Sequence, residues 1–143
     1  MKHMQLAFLG LVTVAALSMT ACAEQPMKSD KQKVIFQVSD ADPKKWNLTL
    51  NNAKNVQTDV GKENVDIEIV AYGPGIGMLK LDSEVGNRVE EAMLTGVSVV
   101  ACENTMHGQK LTKDDMLSHI GYVKAGVVEL MQKQQQGYAY IRP

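Results

Sequence analysis

Short runs of β-branched residues alternate with longer segments whose apolar positions recur every three or four residues. That alternation constrains the fold more than any other feature of the sequence. KVIFQVS (Lys33–Ser39) is an apolar run that reads as a buried strand. Asp42 before Pro43 supplies a helix N-cap and then the residue best suited to the first helical position. Trp46, Leu50, Ala53, Val56 and Val60 continue from there as one apolar stripe, closed by Gly61. Val65, Ile67, Ile69 and Ala71 alternate with Asp66, Glu68 and Val70, a second strand whose more polar face predicts a place near a sheet edge. YGPGIG (Tyr72–Gly77) reads as a loop, and a helix is predicted from Asp82 or Ser83 to a stop at Gly96. VSVVA (Val97–Ala101) is apolar on both faces, as a central strand would be. Thr112–Asp115 resembles a capping box with Asp in place of Glu, Ala125–Gln136 is helical up to Gly137, and YAYIR closes the chain as a strand. Strands and helices in this order imply right-handed crossovers and a mostly parallel sheet covered on both faces, a three-layer α/β domain.

The first 23 residues stand apart from this pattern. Lys2 and His3 precede an apolar run from Leu6 to Met19, long enough for a signal sequence and short for a bilayer-spanning helix of roughly 20 apolar residues. Ala21-Cys22-Ala23 is an A-x-A cleavage site, giving a soluble periplasmic protein; alternatively Met19-Thr20-Ala21-Cys22 is a lipoprotein signal covering residues 1–21, with Cys22 the lipidated anchor. Either route predicts export. Residues 24–32 are a polar lead-in, and 33–143 form the single folded domain. Removing Lys2 takes the 15 basic residues to 14 against 16 acidic ones, a net charge of −2. That balance argues against a nucleic-acid partner, and no membrane contact is expected unless Cys22 is lipidated.

Both routes leave Cys102 as the free thiol of the mature chain. Without a Cys-x-x-Cys pair there is no dithiol redox motif, and no metal site or organic cofactor is suggested. In open α/β sheets ligands collect beyond the carboxyl ends of the strands. Cys102 lies there after the third strand, and the Gly73-Pro74-Gly75-Ile76-Gly77 loop lies there after the second. Amides of Asn104 and Thr105 following Cys102 would stabilise a thiolate, with His107 as a proton acceptor. The alternative is a buried cysteine acting as a small apolar residue. The glycine loop reads either as a tight turn or, through the amides of Gly73, Gly75 and Gly77, as the wall of an anion pocket. A single cysteine can accept one sulfur as a persulfide, pair with a partner's thiol, or act as a nucleophile.

The segments KVIFQVSDADPKKWNLTLNNAKN, VDIEIVAYGPGIGML, VSVVACENTMHG and AGVVELMQKQQQGYAYIRP resemble the DsrE/DsrF-like superfamily over essentially all of residues 33–143. The resemblance implies a flavodoxin-like α/β fold, here with a mostly parallel five-stranded sheet, and assembly into homotrimers or homohexamers. In sulfur-relay members a cysteine after a central strand carries sulfane sulfur as a persulfide, received from a donor protein and passed to an acceptor. Cys102 matches that position and Gly108 a following glycine, whereas His107 stands where many members have Arg. An exported sulfur carrier is the leading expectation; an oligomeric ligand- or partner-binding module of the same fold is the other.

Overall fold

A computed structural model describes residues 31–143 of the chain. The leader, its cleavage sites and Cys22 therefore lie outside the described residues, as does all of the lead-in but Lys31 and Gln32. Five strands alternate with four helices: β1 (Gln32–Val38), α1 (Pro43–Val60), β2 (Val65–Ala71), α2 (Gly86–Leu94), β3 (Ser98–Cys102), α3 (Glu103–Gly108), β4 (Gly121–Val123), α4 (Gly126–Gln135) and β5 (Ala139–Ile141). The strands form one sheet in the order β4-β3-β2-β1-β5, and every pairing is parallel. This is the expected three-layer, flavodoxin-like α/β architecture.

Alternation along the strands assigns the two faces. Phe36, Ile69, Val99 and Ala101 point into the larger core, closed by Trp46, Leu50 and Ala53 of α1, Val89 of α2 and Met106 of α3. Ile35, Val70 and Val100 point the other way, where Leu130 of α4 covers them. The chain winds from β1 to β4 in one direction and then returns through α4 to place β5 beyond β1. Consequently β3 continues onto one face of the sheet and its neighbour β4 onto the other. A crevice opens between the ends of two adjacent strands whose connections diverge in this way.

Local signals perform as the sequence suggests. Asp42 accepts the Lys44 amide at 2.9 Å ahead of Pro43, a cap of the kind that stabilises a helix by about 1 kcal/mol. Thr112 and Asp115 form the expected capping box. Trp46 is core, its indole N–H donating to Asp40 O at 2.7 Å.

Other expectations are corrected. β2 is not near an edge but lies between β3 and β1. Its charges are accommodated separately: Asp66 pairs with Lys31 at the rim, and buried Glu68 pairs with Lys133 of α4 at 2.7 Å. The Gly-Pro-Gly segment is not an open loop but a 3-10 helix spanning Gly73–Leu79. The helix expected from Asp82 begins at Gly86, because Ser83 and Gly86 first close successive turns onto Lys80 O and Ser83 O. On the same helix face as each other, Asn47 and Asn51 of α1 both accept from the Arg88 guanidinium of α2 through their side-chain oxygens.

Candidate functional site

Cys102 ends β3 and is the N-cap of α3, so its side chain stands where ladder hydrogen bonding stops and a helix begins. Its parity with Val100 turns it toward the α4 face, beside the end of β4. The segment after β4 packs against it. Asn104 donates its amide to Lys124 O at 3.1 Å, and the Cys102 thiol lies 4.0 Å from the same carbonyl. Gly126, the first residue of α4, is packed so tightly that a Cβ there would come within 3.0 Å of Tyr72 Cβ. The Gly126 amide, at the start of α4, is thereby brought up to the sulfur.

The cysteine is 5% exposed. An openly exposed thiol is thus not what the fold provides, yet its surroundings are not aliphatic either. Burial pushes the thiol pKa up, as it does for any group that ionises to an anion. The Thr105 hydroxyl and the amides of Gly126, Thr105 and Asn104 act against burial, and their combined effect leaves the pKa below the usual cysteine value. None of these amides makes a full capping bond to the sulfur, so their influence is that of converging N–H dipoles at two helix starts.

The remaining residues singled out in the sequence divide. Thr105 is beside Cys102, and its Oγ1 accepts the Gly73 amide at 2.9 Å. Asn104 contributes its backbone, while its side chain joins His107, Glu103, Lys113 and Lys124 around a separate hollow of about 460 Å³. His107 stands in the last turn of α3, at the other end of the helix from the sulfur. The structure does not bring it to Cys102, so the thiol's proton has its nearest acceptor in Lys124 O. Gly75 donates to Tyr72 O, and a Cβ there would lie 2.3 Å from Val38 O. Gly77 packs against the Trp46 ring, its Cβ position 3.2 Å from the indole edge. The loop amides of Gly73 and Gly75 are thus engaged within the protein, and Gly75 and Gly77 are present because chain and ring approach too closely for a side chain.

Lys124 and Gly126 were not legible as site residues from the sequence. The signal was β4 itself, a three-residue GYV run before Lys124-Ala125-Gly126 that is too short to stand out. Among the described residues, no helix is long and apolar enough to cross a membrane, and no three His, Cys, Asp or Glu side chains converge as metal ligands would.

Comparison with known proteins places this site in a context. The chain is similar to a solved protein of unknown function, MTH1491 of Methanobacterium thermoautotrophicum. The two are 35% identical with a TM-score of 0.75, over 79% of this chain and 100% of that one. The ychN protein of E. coli, at 12% identity, 80% and 99% coverage and a TM-score of 0.62, shares the fold. So does BT1422 of Bacteroides thetaiotaomicron, at 16% identity, 78% and 95% coverage and a TM-score of 0.64. No curated protein matches the chain. The DsrE/DsrF-like family matches residues 32–143, from the first strand through the last and including Cys102, and the chain belongs to that family.

Proposed function

We propose that the protein is a sulfur carrier in which Cys102 holds sulfane sulfur as a persulfide and passes it to an acceptor thiol. The single observation that carries this reading is the place of Cys102 at the carboxyl end of β3, as the N-cap residue of α3 and 4.0 Å from Lys124 O, where the sulfur meets the backbone donors at two helix starts. A cysteine serving only as a small apolar residue has no need of such donors. Membership of a family associated with sulfur relay supports the same chemistry.

The transfer is redox-neutral. The Cys102 thiolate attacks the terminal sulfur of a donor persulfide; the new S–S bond forms as the donor's own S–S bond breaks, and the donor leaves as its thiolate. An acceptor thiolate then attacks the outer sulfur, and Cys102 is released as the thiolate with which it began. With 5% of the residue exposed, a slim terminal persulfide or inorganic polysulfide suits the opening. Mass spectrometry after polysulfide treatment tests the reading. The mature chain, in which Cys102 is the free thiol, is expected to gain the mass of one sulfur, lost again on reduction, and its Cys102→Ser variant to gain none. Equal loading of Cys102→Ser overturns the assignment.

The same burial favours a second reading, a binding module in which Cys102 is a passive wall. A thiol that alkylates only on unfolding would establish it; alkylation of the native chain near neutral pH would reject it.

Export belongs to the proposal on the strength of residues 1–23, as a periplasmic protein or one anchored through Cys22; the mass of the mature N-terminus distinguishes the two. Assembly into a homotrimer or homohexamer is supported by Val127, Val128 and Met131, an exposed apolar patch on α4. Sedimentation at a monomer's mass would reject it.

A further inference from the structure

We propose that the hollow beside Cys102 binds a small peptide-like thiol with more carboxylate than ammonium groups. Lys113 and Lys124 take the carboxylates, and Glu103 takes the ammonium. The inference deepens the sulfur-carrier reading by naming the class of its donor or acceptor, and rests on it for its functional meaning.

Three segments meet at this hollow of about 460 Å³: α3 with Glu103 and Asn104, the turn at Lys113, and Lys124 after β4. Buried Met106 and partly buried Leu111 give it an apolar floor. It lies beyond the carboxyl ends of β3 and β4, the side of a parallel sheet on which ligands collect. It also adjoins the thiol. Glu103 follows Cys102 directly in the chain, the Asn104 amide donates to Lys124 O at 3.1 Å, and that carbonyl is 4.0 Å from the sulfur.

The charges around the hollow are left open. Lys31, Lys45, Lys80 and Lys133 each have a carboxylate partner, whereas among the described residues Lys113, Lys124 and Glu103 form no ion pair. Lys113 Nζ lies instead 4.5 Å from the centroid of the Tyr122 ring, a cation–π contact that holds the ammonium in place without neutralising it. Two cations and one anion around an apolar floor call for the reverse set on a ligand: two carboxylates, one ammonium and an uncharged middle. A plain inorganic anion would match the lysines but face Glu103 with like charge and leave the floor unused. A short peptide thiol such as glutathione carries the matching set.

The test is calorimetric titration of the mature chain with S-methylglutathione, whose blocked sulfur cannot react, with thermal unfolding followed in parallel. Saturable binding is expected, weakening as salt is raised. Lys113→Gln and Lys124→Gln are each expected to weaken it about five-fold, near the most that one exposed ion pair is worth. Glu103→Gln is expected to weaken S-methylglutathione and to tighten glutarate, which has the two carboxylates and no ammonium. Absence of saturable binding to the parent chain, or equal binding by the parent and both lysine variants, overturns the proposal. So does a Glu103→Gln chain in which the relative affinity for the two ligands is unchanged. Should a lysine variant melt below the parent, the arginine substitution at the same position decides: it keeps the charge and is expected to keep binding, and its loss of binding overturns the proposal. Polysulfide loading of Cys102 is read separately by mass. Binding without loading rejects the carrier reading alone; loading without binding rejects this proposal alone.

Discussion

Cys102 and Glu68 are two buried ionisable groups on adjacent strands, facing the same side of the sheet beneath α4, and their environments drive them in opposite directions. Burial raises the pKa of both. At Cys102 the Thr105 hydroxyl and the amides of two helix starts reverse the effect, so the pKa lies below the usual cysteine value. At Glu68 burial remains the largest influence and the pKa is raised, despite Lys133 Nζ at 2.7 Å and with Glu129 adding negative charge nearby. Glu68 Oε1 is buried without a partner. The difference follows from position along the strand. In mid-strand the neighbouring backbone donors are consumed by ladders to β1 and β3, so only another side chain can answer a buried charge. At the carboxyl end the ladders have stopped and the helices that follow have unpaired N–H groups. A parallel sheet therefore tolerates an anion at its rim more readily than in its middle.

The largest expected test of this contrast is Lys133→Met, which leaves Glu68 buried with no counter-charge. A loss of about 3 kcal/mol is expected in denaturant unfolding at neutral pH, shrinking as the pH falls and Glu68 protonates. A loss under about 1 kcal/mol would mean that the middle of the sheet accommodates the charge without its partner, and the contrast would break.

A smaller effect is expected from Glu68→Gln, read across pH. With its folded pKa above the unfolded value, the Glu68 carboxyl contributes stability that is fully present below the unfolded pKa of about 4.3 and is lost as pH rises through the folded one. The melting temperature of the parent chain should therefore fall relative to Glu68→Gln as pH rises through that window. A gap that moves the other way would show the carboxylate to be favoured by its site.

The smallest effect, and of opposite sign, is expected from Cys102→Ser. A depressed thiol pKa contributes stability that is present above the unfolded value of about 8.5 and is lost as pH falls through the folded one. The parent chain should gain on Cys102→Ser as pH rises toward that value. A flat difference would place the thiol among the passive core residues.

Much of the frame was legible in the sequence because it rests on neighbours. The α1 stripe, the Asp42–Pro43 start, the Thr112 capping box and the three longer apolar strands are set by residues within a few positions of each other. The errors share one cause. Asp66 and Glu68 made β2 look like an edge strand because the counter-charge of Glu68, Lys133, is 65 residues away and on another element. The glycine loop looked open because its close neighbours, Val38 O and the Trp46 ring, come from β1 and α1. Cys102 reads in the sequence as the residue just after the third strand and in the structure ends it, while His107, so near in sequence, is carried by α3 to the far end of the helix.

By itself the sequence determined the longer strands and helices and that a thiol stands at the end of an interior strand, since periodicity, capping and chain order are local properties. Only the tertiary structure decided what that thiol meets. The return of the chain through α4 brings Lys124 and Gly126 against Cys102, and the Gly73 turn meets Thr105 across the gap between two strands. A thiol's ionisation depends on the donors within a few ångströms of it, and here they are assembled from segments that approach one another only when the sheet closes.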